Sequence, residues 1–166
     1  MIDWRPDRRL VKRGGVALVA LFAVVQLVPY GWQHPNPAVV QDAPWPGTEG
    51  AEIARSACYD CHSNETRWPL YTWVAPVSWV IRNSVEEGRH ELNFSVWPEV
   101  SAHDLDESIE TVLEGEMPPR EYTLLHPSAK LDDGERAVLV DALREMDAPL
   151  RRRGGDDGRE DDDDDD

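Results

Sequence analysis

Two cysteines and a histidine stand together near the middle of the chain, in the string Cys58-Tyr59-Asp60-Cys61-His62. These are the only two cysteines among 166 residues. Cys-x-x-Cys-His is the attachment signature of a c-type haem. Residues three apart on a helix share one face, with Cβ atoms about 5–6 Å apart, so both thiols can form thioethers with the vinyl groups of one porphyrin. His62 follows directly, and we predict that it binds the iron as the proximal ligand.

Three other kinds of site use the same residue types. A thioredoxin-like redox pair follows a strand of a βαβ unit, but no strand pattern precedes Cys58. A structural zinc site usually has a second tight ligand pair, whereas His90, His103 and His126 are scattered along the chain. A plain disulfide is the third alternative. We predict one covalently bound haem c, because a matched cysteine pair with no spare cysteine rarely arises by accident.

A methionine followed by two prolines, Met117-Pro118-Pro119, lies about 55 residues after His62. A thioether sulfur favours ferrous haem and raises the reduction potential relative to a second histidine. Pro118 disfavours the α region for the preceding residue, so Met117 is predicted to lie on a rigid extended segment as the distal iron ligand. The alternatives are a histidine, an open iron or a packing role for Met117; Met146 is assigned to the buried face of the last helix.

The elements that must position these residues are predicted to be helices, because apolar residues recur at helical spacing and no segment alternates as a strand does. The four predicted helices begin near Thr48, Pro76, Ser101 and Asp132. The first ends at the haem motif, and the third has a capping box and ends at Gly115. The fourth stops before Pro149. Residues 47–148 are therefore predicted to form one all-α domain.

The N-terminal residues 1–33 predict a separate unit. The nineteen residues from Gly14 to Trp32 carry no charge and one polar side chain, Gln26, and a helix of this length spans about 28 Å, close to the roughly 30 Å of a hydrocarbon core. Basic residues precede the stretch, and none follows before Arg55. The positive-inside rule then predicts a single transmembrane helix in the cell membrane, a cytoplasmic N-terminus and a periplasmic (extracytoplasmic) haem domain. A cleaved signal peptide is the alternative.

Composition and charge describe the segments that flank the domain. Residues 34–46 carry four prolines and predict a spacer, whereas residues 149–166 end in six aspartates and predict a disordered acidic tail. The formal net charge is −16, of which −11 falls on residues 14–155. So acidic a chain is not expected to bind nucleic acid or an anionic membrane surface. We expect either a redox partner with a basic docking surface or a charge that only maintains solubility.

Several unlinked strings resemble one known family. They are, in order, Cys58-x-x-Cys61-His62-Ser63-Asn64, Trp68-Pro69-x-Tyr71, Ala75-Pro76-Val77-Ser78-Trp79, Leu92-Asn93-Phe94-Ser95-x-Trp97, Gly115-Glu116-Met117-Pro118 and Tyr122-Thr123-Leu124-Leu125-His126. In these strings the chain resembles the bacterial haem-binding domain family, small cytochrome c-like proteins that often have an N-terminal membrane anchor. The resemblance covers about residues 47–146. It implies a cytochrome c-like fold, a single covalent haem c on Cys58, Cys61 and His62, and Met117 as distal ligand.

The predicted function follows from the two axial ligands. With His62 and Met117 both on the iron, the available chemistry is one-electron exchange. We therefore predict a membrane-anchored electron carrier and not an enzyme. A haem-based sensor or gas-binding module with a displaceable distal ligand is the alternative. A peroxidase would need an open iron and distal acid–base groups, and the sequence shows no arranged pair of these.

Overall fold

The computed structural model describes residues 7–156, with the backbone alone for residues 153–156. It contains seven α-helices, which are α1 (Arg8–Val25), α2 (Thr48–Ala57), α3 (Tyr59–His62), α4 (Val77–Glu91), α5 (Ala102–Glu114), α6 (Arg120–Leu125) and α7 (Asp133–Asp156). Three short 3₁₀ turns lie between them. Within residues 7–156 there is no strand, and the extended backbone forms one isolated bridge between Gln41 and Val96. The all-helical prediction agrees with this architecture.

The chain divides into two compact units. The first contains the chain up to His34 together with Trp68–Asn83, and the second contains Pro35–Arg67 and everything from Ser84 onward. The cysteine motif belongs to the second unit. Helix α4 has its first seven residues in the first unit and the remainder in the second.

The first unit contains α1 and the turn that follows it. The carboxylate of Asp7 accepts a hydrogen bond from the backbone N–H of Arg9 at 2.8 Å and so caps the start of α1. At the other end the side-chain amide of Gln26 pairs with the backbone of Ala75, donating to its carbonyl at 2.8 Å and accepting from its N–H at 2.9 Å. Gly31 follows at φ +86°, which is a left-handed conformation that favours glycine.

The predicted transmembrane helix is wrong. Among residues 7–156, no helix has both the length and the apolar character needed to cross a bilayer. The uncharged stretch is not one helix, because α1 ends at Val25 and turns follow. Its helical part, residues 14–25, is about 18 Å long, which is short of the roughly 30 Å of a hydrocarbon core, and the preceding turns of α1 are basic. The predicted single-pass location in the cell membrane is wrong for the same reason, and the periplasmic placement of the haem domain loses the span from which it was inferred.

The core of the second unit lies where α7 packs against α5 and α2. Its buried side chains come from all three helices: Ile53, Ala54, Ala57, Leu105, Ile109, Val112, Leu139, Val140, Leu143 and Met146. A Cβ added to Gly50 would lie 2.8 Å from the Cβ of Ala142. The backbone of α2 therefore approaches α7 more closely than a larger residue would allow. This crossing fixes the helix that leads directly into the cysteine motif.

The ends of α5 agree with the predicted signals. The hydroxyl of Ser101 accepts from the N–H of Asp104 at 3.2 Å, while the Asp104 carboxylate accepts from the N–H of Ser101 at 2.8 Å. This is the predicted capping box. Gly115 ends the helix in the left-handed conformation, at φ +76°, as expected for a glycine terminator.

The last helix runs further than predicted. α7 continues through Pro149 to Asp156 instead of stopping before the proline. Contacts beyond the proline hold this extension, because Leu150 packs against the core and the guanidinium of Arg151 donates to the carboxylates of Asp147 and Asp106. Part of the predicted acidic tail is therefore helical. Residues 157–166, with the aspartate run, lie outside the described residues.

The proline-containing segment before α2 contributes to the second unit from Pro35 onward. The N–H of Val40 donates to the carbonyl of Ser95 at 2.9 Å, and the N–H of Trp97 donates to the carbonyl of Gln41 at 3.1 Å. Ala43 is buried in the core. This segment was predicted to be a spacer. From Pro35 onward it is instead packed against the loop after α4.

Candidate haem-attachment site

The cysteine motif forms a single helical turn after a break in the helix. α2 ends at Ala57, and α3 starts at Tyr59, with Cys58 between the two helices. The carbonyl of Cys58 accepts hydrogen bonds from the N–H groups of Cys61 at 3.1 Å and His62 at 2.9 Å. The structure therefore brings the three predicted attachment residues together on one turn. Both cysteines are free thiols and are partly buried.

Burial controls the ionisation of the two thiols. It raises the pKa of Cys58 to about 12, with a further contribution from Cys61. Burial also raises the pKa of Cys61 to about 11, and the carboxylate of Asp60 adds to this effect. Both groups are protonated thiols at neutral pH. A reactive thioredoxin-like pair has a lowered pKa instead, so the environment disfavours that alternative.

The zinc alternative lacks a set of ligands in the described part of the chain. No group of three or more histidine, cysteine, aspartate or glutamate side chains in residues 7–156 is placed to hold a metal ion. His90 and His103 are exposed on other helices. A structural zinc site is tetrahedral and needs four close ligands. The two cysteines and His62 supply three at most.

The imidazole of His62 is held by the end of α4. Its Nδ1 lies 3.1 Å from the carbonyl oxygen of Leu92. A carbonyl only accepts hydrogen bonds, so Nδ1 must carry the proton and Nε2 keeps its lone pair. Burial lowers the pKa of His62, although the hydrogen bond to Leu92 opposes this, and the ring is neutral at pH 7. A neutral imidazole with its second nitrogen fixed by a carbonyl is the form that binds metals, so the residues of the motif fit a haem.

A buried polar network supports the chain directly after His62. The hydroxyl of Ser63 donates to the carbonyl of Tyr59 at 2.7 Å. The N–H of Asn64 donates to the hydroxyl of Ser95 at 3.0 Å, and the side-chain amide of Asn93 donates to the Asn64 side-chain oxygen at 3.0 Å. Buried polar groups that are fully hydrogen-bonded favour one arrangement of the backbone. The network therefore fixes the direction in which the chain leaves the motif.

Helix α4 braces the motif through two neighbouring residues. A Cβ added to Gly88 would lie 2.8 Å from the carbonyl oxygen of Cys61, so the two backbones are in direct contact there. Arg89 donates to the carbonyl of Ser63 at 2.7 Å and to the hydroxyl of Thr66 at 2.8 Å. Its guanidinium also donates to the carbonyl of Pro35 at 3.0 Å. The roles of Gly88 and Arg89 were not predicted, because neither residue belongs to a sequence motif.

Asp60, between the two cysteines, is the centre of a second cluster. It is 8% exposed. One carboxylate oxygen accepts from the backbone N–H and the Nε of Arg67 at 3.0 and 3.1 Å, and the other accepts from the hydroxyl of Tyr122 at 2.8 Å. Burial and this hydrogen bond raise the pKa of Tyr122. The hydrogen bond to Asp60 raises the pKa of Arg67. A variable position of the motif thus joins three parts of the chain.

Tyr59, on the same turn, is tied to the segment before α2. Its hydroxyl donates to the carboxylate of Asp42 at 2.7 Å and accepts from the indole N–H of Trp45 at 2.9 Å. The guanidinium of Arg55 lies 4.5 Å from the Tyr59 ring centroid, and the ring stacks on Phe94 at 5.5 Å. Burial, followed by the hydrogen bond to Asp42, raises the pKa of Tyr59. This turn is therefore fixed on several sides.

The predicted distal ligand lies on a different element from the other three residues. Met117 follows α5, its N–H donates to the carbonyl of Thr111 at 3.2 Å, and it is 36% exposed. Met146, in contrast, is 3% exposed within the core, as its predicted place on the last helix requires. His126 stacks on Tyr122 at 4.2 Å between ring centroids. Of the candidate thioethers in the second unit, Met117 is the one that does not fill the core.

Comparison with models of known protein families assigns the chain to one family. The family model described as the haem-binding domain matches residues 20–145. That range covers most of the chain and includes the cysteine motif, the α4 brace and Met117. Neither the curated proteins nor the solved structures gave a match. The resemblance seen in the sequence is confirmed, and the chain is a haem-binding protein that belongs to the haem-binding domain family.

Proposed function

We propose that this haem-binding protein is a monohaem c-type cytochrome that transfers single electrons. In this proposal Cys58 and Cys61 would hold one haem through thioethers, and His62 and Met117 would be the two protein ligands of its iron. The observation that supports it best is the arrangement of one turn. Two protonated thiols stand three residues apart, beside an imidazole whose Nδ1 is already bonded to a carbonyl.

Each residue of that turn has a defined task. Each S–H group adds across one vinyl C=C bond, with the sulfur on one carbon and the hydrogen on the other, so attachment involves no net oxidation. The hydrogen bond from Nδ1 of His62 to the carbonyl of Leu92 fixes the tautomer, so that Nε2 carries the lone pair that would bind the iron. The thioether of Met117 is a soft ligand that favours the reduced metal. A haem iron with two protein ligands exchanges one electron between its ferrous and ferric states.

The partner in this exchange is proposed to be a redox protein with a basic docking surface. One electron enters from a reduced donor and one leaves to an oxidised acceptor, with no other change in the protein. The chain has a formal net charge of −16, which attracts a basic partner and repels an acidic one. The encounter rate is expected to fall as salt is added.

Covalent attachment is the first test of this proposal. We expect the protein, co-expressed with a c-type maturation system, to keep one haem through denaturation and acidic organic extraction. Mass spectrometry should show one porphyrin adduct on the peptide that contains Cys58 and Cys61, and the pyridine spectrum should be that of two thioethers. The single variants Cys58→Ala and Cys61→Ala should each show one thioether, and the double variant should release its haem. A wild-type chain without any adduct would contradict the proposal.

A haem-based sensor or gas-binding module is the second candidate. The observation that favours it is the exposure of Met117, at 36%, on a segment outside any helix. A thioether held in this way can give up its place to an external ligand. Rapid binding of carbon monoxide by the reduced protein would favour the sensor, whereas slow or absent binding would favour the electron carrier.

A further inference from the structure

We propose that Tyr122 is a positioning residue for the distal methionine, and that it acts through its hydrogen bond to Asp60. The inference rests on the proposed function, since it takes Met117 as the second axial ligand. It explains how Met117, on the segment after α5, is held in position relative to the cysteine turn.

The hydrogen bond joins two positions that are far apart in sequence. The hydroxyl of Tyr122 donates to Asp60 at 2.8 Å across 62 residues. Asp60 lies between the two attachment cysteines, and Tyr122 lies five residues after Met117. The residues between Met117 and α6 are two prolines, whose rings fix φ. A constraint on Tyr122 is therefore passed to Met117 through a stiff connection.

The Asp60 end of this link is firmly held. Its carboxylate is almost fully buried, and it accepts three further hydrogen bonds from Arg67, one of them from Nη2 at 3.3 Å to the same oxygen that Tyr122 contacts. A hydrogen bond to an ionised group is stronger than one between neutral groups. Without the tyrosine hydroxyl, that buried carboxylate oxygen would keep only the longer 3.3 Å hydrogen bond from Nη2 of Arg67. The link is thus one of the stronger single hydrogen bonds that a tyrosine can make.

The α6 end has little else to hold it. Helix α6 has no buried residue, and Leu124 and Leu125 are 80% and 60% exposed. Tyr122 is the residue of α6 that packs against the core cluster. The start of this segment is held by the hydrogen bond from the N–H of Met117 to Thr111, and Tyr122 is the residue of α6 that ties it to the cysteine turn. Without the hydroxyl, we expect the segment to move more freely and the methionine to leave the iron more often.

The test compares two tyrosine variants of the haem-loaded protein. In Tyr122→Phe we expect covalent attachment to be unchanged, the ferric methionine-to-iron charge-transfer band to weaken, and the affinity for added imidazole to rise about tenfold, which is the size of effect expected from one charge-assisted hydrogen bond. Tyr59→Phe is the matched control. It removes a phenol-to-carboxylate hydrogen bond of similar length from the cysteine turn itself, but one that does not reach the α5–α6 segment, and its imidazole affinity should equal that of the wild type.

Two further measurements separate positioning from general loss of stability. Hydrogen exchange of the haem-loaded protein should be faster in residues 116–125 of Tyr122→Phe and unchanged there in Tyr59→Phe. Asp60→Asn keeps an acceptor oxygen but removes the charge, and it should raise imidazole affinity in the same direction by a smaller factor.

Three outcomes would overturn the inference, and they differ from one another. A wild-type charge-transfer band together with unchanged imidazole affinity in Tyr122→Phe would refute the role of Tyr122 while leaving Met117 as ligand. An equal rise in both tyrosine variants would assign the effect to stability. A wild type without the band would refute Met117 as ligand, and with it the inference.

Discussion

At the scale of single residues, the grouping of the cysteine motif was predictable and its structural supports were not. Residue types and spacing predicted Cys58, Cys61 and His62, and the structure places all three on one turn. The acceptor for His62 is a backbone carbonyl thirty residues later, at Leu92. Every residue has such a carbonyl, so no residue type marks it in the sequence. Long-range partners of this kind become visible only in the folded chain.

The distal ligand is tested at this scale by Met117→Ala. We expect the haem to stay attached, because the thioether cysteines are untouched. The ferric methionine-to-iron band should disappear and the reduction potential should fall, since a soft ligand that favours ferrous iron has been lost. The measurements are absorption spectroscopy and a redox titration of the haem-loaded protein.

Met146→Leu is the matched control for that variant. It replaces a core methionine by a residue of similar volume, which usually costs less than about 1.5 kcal/mol. The band and the potential should be those of the wild type. If the band survives in Met117→Ala and is lost in Met146→Leu, then Met146 is the iron ligand and Met117 is not.

At the scale of elements, local signals predicted helices well and packing poorly. The capping box at Ser101 and the terminator Gly115 gave α5 its correct ends. The apolar stretch of residues 14–32 has the composition of a membrane span, but the helix within it ends at Val25, where Gln26 pairs with the backbone of Ala75. Helix α6 is too short to show a periodic apolar pattern, and it was not predicted.

The contact between α4 and the cysteine turn gives a prediction at this scale. Gly88→Ala places a Cβ 2.8 Å from the carbonyl oxygen of Cys61, and we expect a loss of about 1–3 kcal/mol in the free energy of unfolding, typical of overpacking. The yield of haem-loaded protein should also fall, because the turn that carries both thiols is displaced. Urea unfolding of the loaded protein measures the first effect, and the haem-to-protein ratio measures the second.

Gly14→Ala is the control for Gly88→Ala, because both glycines are inside helices. An added Cβ at Gly14 meets nothing within 4 Å. Alanine is a better helix former than glycine by about 1 kcal/mol, so this variant should be as stable as the wild type or more so. Equal destabilisation by the two substitutions would show that the close contact at Gly88 is unimportant.

At the scale of the whole molecule, two tyrosines couple stability to alkaline pH. The pKa values of Tyr59 and Tyr122 are raised by burial and by hydrogen bonds to Asp42 and Asp60. A free tyrosine titrates near pH 10. Above that pH the unfolded chain releases protons that the folded chain retains. The stabilisation is therefore complete below about pH 10 and is lost as the pH rises through the higher values of the folded state.

This behaviour can be measured by urea unfolding of the haem-loaded protein at several pH values from neutral to strongly alkaline. We expect the stability advantage of the wild type over the double variant Tyr59→Phe/Tyr122→Phe to be constant up to about pH 10 and to shrink above it. In the proposed covalent complex both cysteines are in thioether links, so that no thiol would titrate in this range. Parallel stability curves for the two proteins at all pH values would contradict the assignment.

The order of the contacts along the chain has a consequence for biosynthesis. The helix before the cysteine turn packs on α7, and the turn itself is tied to Leu92 and to Tyr122. All of these supports are translated after the cysteines. If haem is attached through thioethers as proposed, a nascent polypeptide would present its two sulfurs in an open state, before the later helices enclose them. Maturation that precedes folding is the sequence of events that this connectivity allows most directly.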